Sequence, residues 1–316
     1  MTAGALRLGT RASRLATAQA RQVASQVADR LDRPVDLVEV TTEGDRNAGS
    51  LASIGGAGVF VSALREALVD GRVDLAVHSL KDLPTLPQPG VVLAAVPARE
   101  DPRDALVARD GLTLGELPAG SRVGTGSPRR AAQLHALGLG LDVIDLRGNV
   151  DTRIGKVESR QLDAVVLALA GLTRVGRRGD ITEIIDPIQM LPAPGQGALA
   201  VECRDGEELP DLLRALDDPE SRATVTAERA VLAALEAGCA APVGALAELA
   251  EGEDGDELWL RAVAISLDGR LAVRGSVSGP PEDAHDLGRR LAEQLREDGA
   301  DDLIPPRDAR GRKQQN

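Results

Sequence analysis

Arg122-Val123-Gly124-Thr125-Gly126-Ser127-Pro128 repeats, in mid-chain, the phrase Leu8-Gly9-Thr10-Arg11-Ala12-Ser13 near the start: a strand, Gly-Thr, a serine two or three residues on, then a helix. Ser127 is a natural N-cap and Pro128 a natural first helical residue, because proline has no N–H to leave unpaired there. The surroundings of the two phrases also match. After Leu6–Thr10, a helix from Ser13 carries an apolar stripe at Ala20, Val23, Ala24, Val27 and Leu31, and Val35–Thr41 is a second strand. Ser53-Ile54-Gly55-Gly56-Ala57-Gly58 is a Gly-rich loop opening a helix with Phe60, Leu64, Ala67 and Leu68 on one face. Val73–Val77 and Val91–Val96 are further strands. After the second phrase come strands at Leu141–Leu146 and Ala164–Leu169. Strands alternating with helices imply an α/β fold with mostly parallel sheets. Two such lobes each offer a helix N-terminus to an anion, so the expected site lies between them.

The lobes are not simply consecutive. Pro97–Asp104 reads as a crossover, and Leu191-Pro192-Ala193-Pro194-Gly195-Gln196-Gly197 as a second, because Ala198–Glu202 is again a strand. A chain that crosses twice is a hinge design, with part of lobe one supplied after lobe two. The expected division is 1–98 with 194–217 for domain 1, 99–193 for domain 2, and 218–306 for domain 3, with a disordered tail at 307–316. Domain 3 opens with a helix, Ser221–Leu235, whose Val225, Glu228, Val231, Leu232 and Leu235 fall at helical spacing. Gly238 suits a left-handed closing residue, and Pro242 prevents the helix from restarting. Alternating strands at Val243–Ala250, Glu257–Ser266 and Leu271–Ser278 follow, with an Asp268-Gly269 turn. A helix bearing Ala284, Leu287, Leu291 and Leu295 completes a small α+β domain.

Composition narrows the function. The chain has 316 residues, 43% of them apolar, but one Phe, one Trp and no Tyr, so its cores must be built from Ala, Val, Leu and Ile. Two cysteines exclude a disulfide scaffold, and the isolated His78, His135 and His285 exclude zinc fingers and ribbons, so no metal is expected. No secretory leader or bilayer-length apolar run is read, which predicts a cytoplasmic protein with no membrane partner. No large apolar patch is evident either, so a monomer is expected. A net charge of −12 argues against nucleic acid. Of 37 basic residues only Lys81, Lys156 and Lys313 are lysines, leaving 34 arginines, the better fork for carboxylate or phosphate. Many gather at predicted strand ends: Arg11, Arg14, Arg129, Arg130, Arg147 and Arg153. A cationic pocket in an anionic protein points to a small, multiply anionic ligand.

Among reactive residues, Cys239 in Gly238-Cys239-Ala240-Ala241-Pro242 follows a helix C-terminus, where the macrodipole disfavours a thiolate. It is a better permanent attachment point than a turning-over nucleophile, and a plain buried cysteine is the alternative. Lys81 and Asp82 in His78-Ser79-Leu80-Lys81-Asp82-Leu83-Pro84 fall at the carboxyl end of a parallel strand, where α/β ligand sites form. Asp82 is read as a carboxylate that stabilises a cation or exchanges a proton, with a salt-bridging or capping role as the alternative. His78 reads equally as a structural imidazole. The Gly55–Gly58 loop lacks the Lys-Ser/Thr of a P-loop and is read as a mobile loop.

In this order, the motifs Gly-Thr-Arg-Ala-Ser, Val-His-Ser-Leu-Lys-Asp-Leu-Pro, Gly-Thr-Gly-Ser-Pro-Arg-Arg, Arg-Gly-Asn-Val-Asp-Thr-Arg, Pro-Gly-Gln-Gly-Ala and Gly-Cys-Ala-Ala-Pro-Val-Gly resemble the porphobilinogen deaminase (hydroxymethylbilane synthase) family. The resemblance runs from Leu6 to about Ala247. It implies two periplasmic-binding-protein-like lobes with a double crossover and a C-terminal α+β domain. It also implies a transferase of tetrapyrrole (heme) biosynthesis that joins four porphobilinogen molecules head to tail into hydroxymethylbilane, releasing four ammonia. A dipyrromethane cofactor, held by thioether to Cys239, would prime a growing oligopyrrole, with Asp82 as the catalytic carboxylate. Lys81, Asp82, Ser127, Arg129, Arg130 and Arg147 match cofactor-binding positions, and Arg11, Ser13, Arg153 and Arg174 substrate-binding ones. Gln19 and Gln196 match further family positions. Two departures stand out: Ser53 and Ala57 replace loop lysines common in relatives, and Gly126-Ser127-Pro128 replaces the usual Ser-Ser-Leu. Two other classes fit less well. A solute-binding module would give Cys239 no role and would need an export signal, and a thiolate enzyme would need a histidine paired with Cys239 near a helix N-terminus.

Overall fold

The first strand, β1 (Leu6–Thr10), leads into α1 (Arg14–Leu31), and β2 (Val35–Glu39) returns beside it in parallel register, Leu8 opposite Leu37. The computed structural model describes residues 4–40, 57–206, 208–238, 241–252 and 255–304, without the side chains of 57–60. The Gly55–Gly58 loop reading, Cys239 and the 307–316 tail fall mainly or wholly outside these residues. Two compact units are present: 1–100 with 198–222, and 101–197 with 223–316.

In the first unit α2 (Ala57–Val69), β3 (Leu75–Ser79) and β4 (Val91–Ala95) follow β2. The chain then enters the second unit. There β5 (Asp104–Ala108), β6 (Arg122–Thr125), α3 (Pro128–Ala136) and β7 (Asp142–Asp145) are followed by α4 (Val150–Glu158), β8 (Ala164–Ala168), α5 (Leu169–Arg174) and β9 (Glu183–Ile184). It returns to the first unit for β10 (Leu199–Arg204) and α6 (Leu209–Leu213). The sheet orders are β2-β1-β3-β10-β4 and β7-β6-β8-β5-β9. In each, three strands are parallel and the fourth is antiparallel to its neighbours, and that fourth strand is the one entered directly after a crossover. The two lobes are therefore topological copies, each closed by the strand that follows a crossing. The result is a two-lobed α/β architecture with a double crossover.

Apolar stripes bury as their spacing predicts. Ala20, Val23 and Val27 of α1 pack with Leu6, Leu8, Leu75 and Val201, while Leu64, Ala67 and Leu68 of α2 cover the other face with Val73 and Ala76. Strand β5 is absent from the sequence reading, although all five of its residues are buried. Its Ala-Leu-Val-Ala run has no alternation because both faces are covered, and such a run carries no periodic signal.

The helix α7 (Pro219–Ala234) leads to an antiparallel sheet, β11 (Val243–Gly252), β12 (Gly255–Ile265) and β13 (Ala272–Gly279), covered by α8 (Ala284–Glu297). Leu287, Leu291 and Leu295 of α8 bury with Val231, Leu258 and Leu260. Ala132 of α3 and Leu191 share a further cluster with Leu246, Val263 and Ile265, so this sheet packs on lobe two within one compact unit. One expectation is corrected. The left-handed residue after α7 is Glu236 (φ +50°), not Gly238, whose φ is not positive. Leu235 and Ala237 on either side are buried in the core, and Ala237 N–H closes the helix on Leu232 O at 3.1 Å.

Candidate active site

In lobe one, Arg11 follows β1 directly and is half-buried, and Ser13 caps α1 by accepting a hydrogen bond from Ala16 N (3.3 Å). Arg14 is exposed as the first residue of that helix. At the end of β3, Leu80–Asp82 forms one 3₁₀ turn that leaves Lys81 and Asp82 half-buried. Gln19 of α1 donates Nε2–H to Ser79 Oγ at 2.8 Å, tying the helix to the strand that delivers Asp82. Below this end of β3 lies a buried ion cluster. Arg65 of α2 forks Glu202 of β10 (Nη2 to Oε1, 2.7 Å), and His78 Nε2 stands 3.1 Å from Glu202 Oε2. Burial alone would raise the Glu202 pKa, but hydrogen bonding and charge from His78 and Arg65 hold it below the usual glutamate value. His78 is buried beside the Asp82 turn.

In lobe two, Ser127 caps α3, accepting from Arg130 N at 3.4 Å, with Pro128 in the first turn as predicted. A Cβ at Gly126 would sit 2.5 Å from Leu146 O, so any side chain at this position would need a shifted backbone. Arg129 and Arg130 are 3% and 5% exposed, and both turn onto Asp104, which is fully buried at the head of β5. Arg129 Nη2 donates to Asp104 Oδ2 (2.8 Å), and Arg130 donates Nε–H (3.0 Å) and Nη2–H (2.7 Å) to Oδ1. Gln196 Nε2 donates to the same Oδ1 (2.8 Å) and to Pro102 O (2.7 Å), joining the two crossover segments. Arg129 Nη1 also donates to Leu191 O, and Gln133 holds that main chain from both sides, its Oε1 2.8 Å from Leu191 N and its Nε2 3.0 Å from Leu191 O. Burial would push the Asp104 carboxyl up, but the two guanidiniums and the hydrogen bonds from Arg130 and Gln196 hold it far below the carboxylate range. Burial in turn lowers the Arg129 guanidinium, opposed by Asp104 and assisted by Arg130.

The remaining cations sit at the same end of lobe two. Arg147 follows β7 and is largely exposed, 3.9 Å from Asp145. Half-buried Arg153 donates Nε–H to Gly148 O (2.8 Å), and burial and then the Arg130 charge lower its pKa. Arg174 closes α5 and donates Nη2–H to Gly197 O at 2.7 Å. Cys239 lies outside the described residues, so its place relative to these groups is not part of the geometry. Sequence reasoning missed Asp104, Glu202, Arg65 and Gln133. The one available signal was an acid opening an unbroken apolar run, Asp104-Ala105-Leu106-Val107-Ala108, in a chain with an arginine pair. Among the described residues no group of three or more His, Cys, Asp or Glu could hold a metal, and none of their helices is long and apolar enough to cross a membrane.

Strand order, double crossing and a separate antiparallel sheet define a two-lobed α/β protein with an appended α+β unit. Residues 6–210 match the family model "Porphobilinogen deaminase, dipyromethane cofactor binding domain", and residues 222–297 match "Porphobilinogen deaminase, C-terminal domain". The porphobilinogen deaminase of Mycobacterium avium is 58% identical over 305 residues, covering 95% of this chain and 96% of that protein. Porphobilinogen deaminase 1 of Streptomyces coelicolor is 56% identical over 317 residues, covering 97% and 99%. Among solved structures, a periplasmic substrate-binding protein of an ABC transporter from Coxiella burnetii aligns with a TM-score of 0.43 at 17% identity, covering 71% of this chain and 96% of that one. The chain belongs to the porphobilinogen deaminase family.

Proposed function

We propose that this chain condenses four porphobilinogen molecules head to tail into hydroxymethylbilane, with Asp82 as the catalytic carboxylate and Cys239 as the cofactor's attachment point. The observation that carries the reading is the position of the candidate residues. Arg11, Lys81, Asp82, Ser127 and Arg147 all follow the carboxyl ends of parallel strands, within a family defined by dipyrromethane binding. An acidic two-ring group fits lobe two's donors, because Arg129 and Arg130 share one carboxylate, and the buried Arg129 Nε has no acceptor among the described residues. When bound, the dipyrromethane supplies the free pyrrole carbon to which each new ring is joined. Arg129, Arg130, Arg147, Lys81 and Ser127 hold its acetate and propionate groups, and Arg11, Ser13, Arg153 and Arg174 hold those of the substrate. As the C–N bond of porphobilinogen's protonated aminomethyl group breaks, its electron pair leaves with nitrogen as ammonia. The Asp82 carboxylate then faces the cationic ring that remains, stabilising it and meeting its ring N–H. Each cycle thus exchanges the C–N bond of one protonated porphobilinogen for one C–C bond, releasing one ammonia and one proton.

Domains 1 (1–98, 194–217), 2 (99–193) and 3 (218–306) follow as the working division, supported by the two crossovers and the third sheet, with domains 2 and 3 falling in one compact unit. The reading places the protein in the cytoplasm as a monomer with no nucleic-acid or membrane partner. Its net charge of −12 supports the nucleic-acid part, and sedimentation tests the monomer. The test of function is the intact mass after expression in a host that makes porphobilinogen. An excess of two linked pyrrole units is expected, lost in Cys239→Ser and kept in Cys203→Ser. Asp82→Asn should retain the fold and lose turnover by about a hundredfold or more. An unmodified, fully active wild type, or near-normal turnover in Asp82→Asn, would contradict the assignments.

A further inference from the structure

The arginine pair of lobe two is not self-supporting. Two adjacent guanidiniums, both nearly inaccessible, repel each other, and each has enough rotamers to leave any fixed position. What holds them is one carboxylate. Asp104 divides its oxygens, Oδ2 for Arg129 and Oδ1 for Arg130, and Gln196 fastens Oδ1 from the opposite side. Gln196 Oε1 also accepts from Arg130 Nη2 (3.4 Å), while Val166 O takes Arg130 Nη1 (3.1 Å) and Leu191 O takes Arg129 Nη1. Every one of these partners is buried, and the network answers only part of the charge, one anion for two cations. The unmatched Arg129 Nε lies within it, and Arg153, whose guanidinium feels the Arg130 charge, stands close by. A buried cation pair held by half of its countercharge is arranged for a second anion to arrive.

Resting on the function proposed above, we infer that Asp104 is the positioning residue of the Arg129–Arg130 pair, fixing both guanidiniums for the carboxylates of the dipyrromethane, with Gln196 locking Asp104 in place. Asp104 does not touch the ligand. It acts through the arginines, and this gives the idea a sign that a purely electrostatic role would reverse. Removing the Asp104 charge makes the site more positive, which alone would tighten an acidic ligand. Loss of fixed guanidinium geometry loosens it.

The experiment compares Asp104→Asn, Gln196→Leu and the control Asp163→Asn, all expressed as the full chain in a porphobilinogen-making host. Asp163 pairs with Arg109 at 2.6 Å on the same sheet, apart from the arginine pair. Far-UV circular dichroism verifies folding, intact mass gives the fraction carrying the dipyrromethane, and steady-state kinetics separates KM from kcat. Asp104→Asn is expected to fold but to lower the loaded fraction by about tenfold to a hundredfold, by analogy with the loss when a group that orients a metal ligand is removed. Gln196→Leu, which keeps both ion pairs, is expected to load and to raise KM about tenfold with kcat changed less than about threefold. Asp163→Asn should load as wild type. A folded Asp104→Asn with full loading and an unchanged or lowered KM overturns the inference. If Asp104→Asn does not fold, an unchanged KM in Gln196→Leu overturns it. A wild type with no added mass and no tetrapyrrole product defeats the functional reading instead, whereas a folded Asp104→Asn that loads like wild type with an unchanged or lowered KM defeats only the role of Asp104.

Discussion

Replacing Glu202 by glutamine would test how much of lobe one depends on a single buried charge. Glu202 is 2% exposed and lies on β10, the strand that returns after the second crossover. Arg65 reaches it with Nε (3.1 and 3.2 Å to the two oxygens) and Nη2 (2.7 Å), and His78 Nε2 is 3.1 Å away. Glutamine keeps the volume but turns one acceptor into an NH2 group facing donors, leaving the Arg65 guanidinium without a countercharge. Removing one partner of a buried pair costs about 3–5 kcal/mol, and the 10% exposure of the Arg65 side chain favours the lower end, about 3 kcal/mol. Urea denaturation followed by ellipticity at neutral pH would measure this. The pH dependence has a definite sign. Because the folded Glu202 pKa is depressed, its contribution is complete above the unfolded value of 4.5 and is lost as pH falls through the lower folded value. The gap between wild type and variant should therefore be full at neutral pH and shrink below about pH 4.5. Replacing both partners by apolar residues, Arg65→Met with Glu202→Leu, should cost less than Glu202→Gln alone, since no charge remains buried without its partner. A loss under about 1 kcal/mol, or a gap unchanged down to about pH 3.5, would refute the reasoning.

Three further outcomes follow from the backbone. At Gly124, an added Cβ would lie 2.6 Å from Leu162 Cδ1 and 2.7 Å from Leu146 Cδ2, so Gly124→Ala should destabilise lobe two by about 1–3 kcal/mol in urea unfolding. Glu236 occupies the left-handed region at φ +50°, so Glu236→Gly should be neutral to stabilising by up to about 1 kcal/mol. Gly238→Ala, with nothing within 4 Å of the new Cβ, should change unfolding by less than about 0.5 kcal/mol. A reversed order of these last two variants would restore Gly238 as the closing residue.

Much of the fold and part of the site were legible in the sequence. The Ser127–Pro128 start of α3, the buried stripe of α8 and the return into lobe one at Leu199 all follow from local signals: a cap, a 3.6-residue period and a Pro/Gly-rich crossing. The arginines and Asp82 stand out in the sequence as candidates, because their motifs carry them. How Arg129 and Arg130 are held was not. Asp104 reads locally as an ordinary acid before a short apolar run, and Glu202 as an alternating position in a strand.

The amino-acid order alone determined the repeating strand–helix units, the two crossings and the family, because these depend on contacts within one turn or on contiguous motifs. Only the tertiary structure decided strand order and which charges are buried together. Gln196 meets Asp104 across 92 positions, and Arg65 meets Glu202 across 137. Those partnerships exist because a strand that follows each crossover inserts antiparallel into its sheet and carries an acidic side chain into the interior. There a carboxylate is stable only when guanidiniums surround it, and no local pattern records which distant arginines will do so.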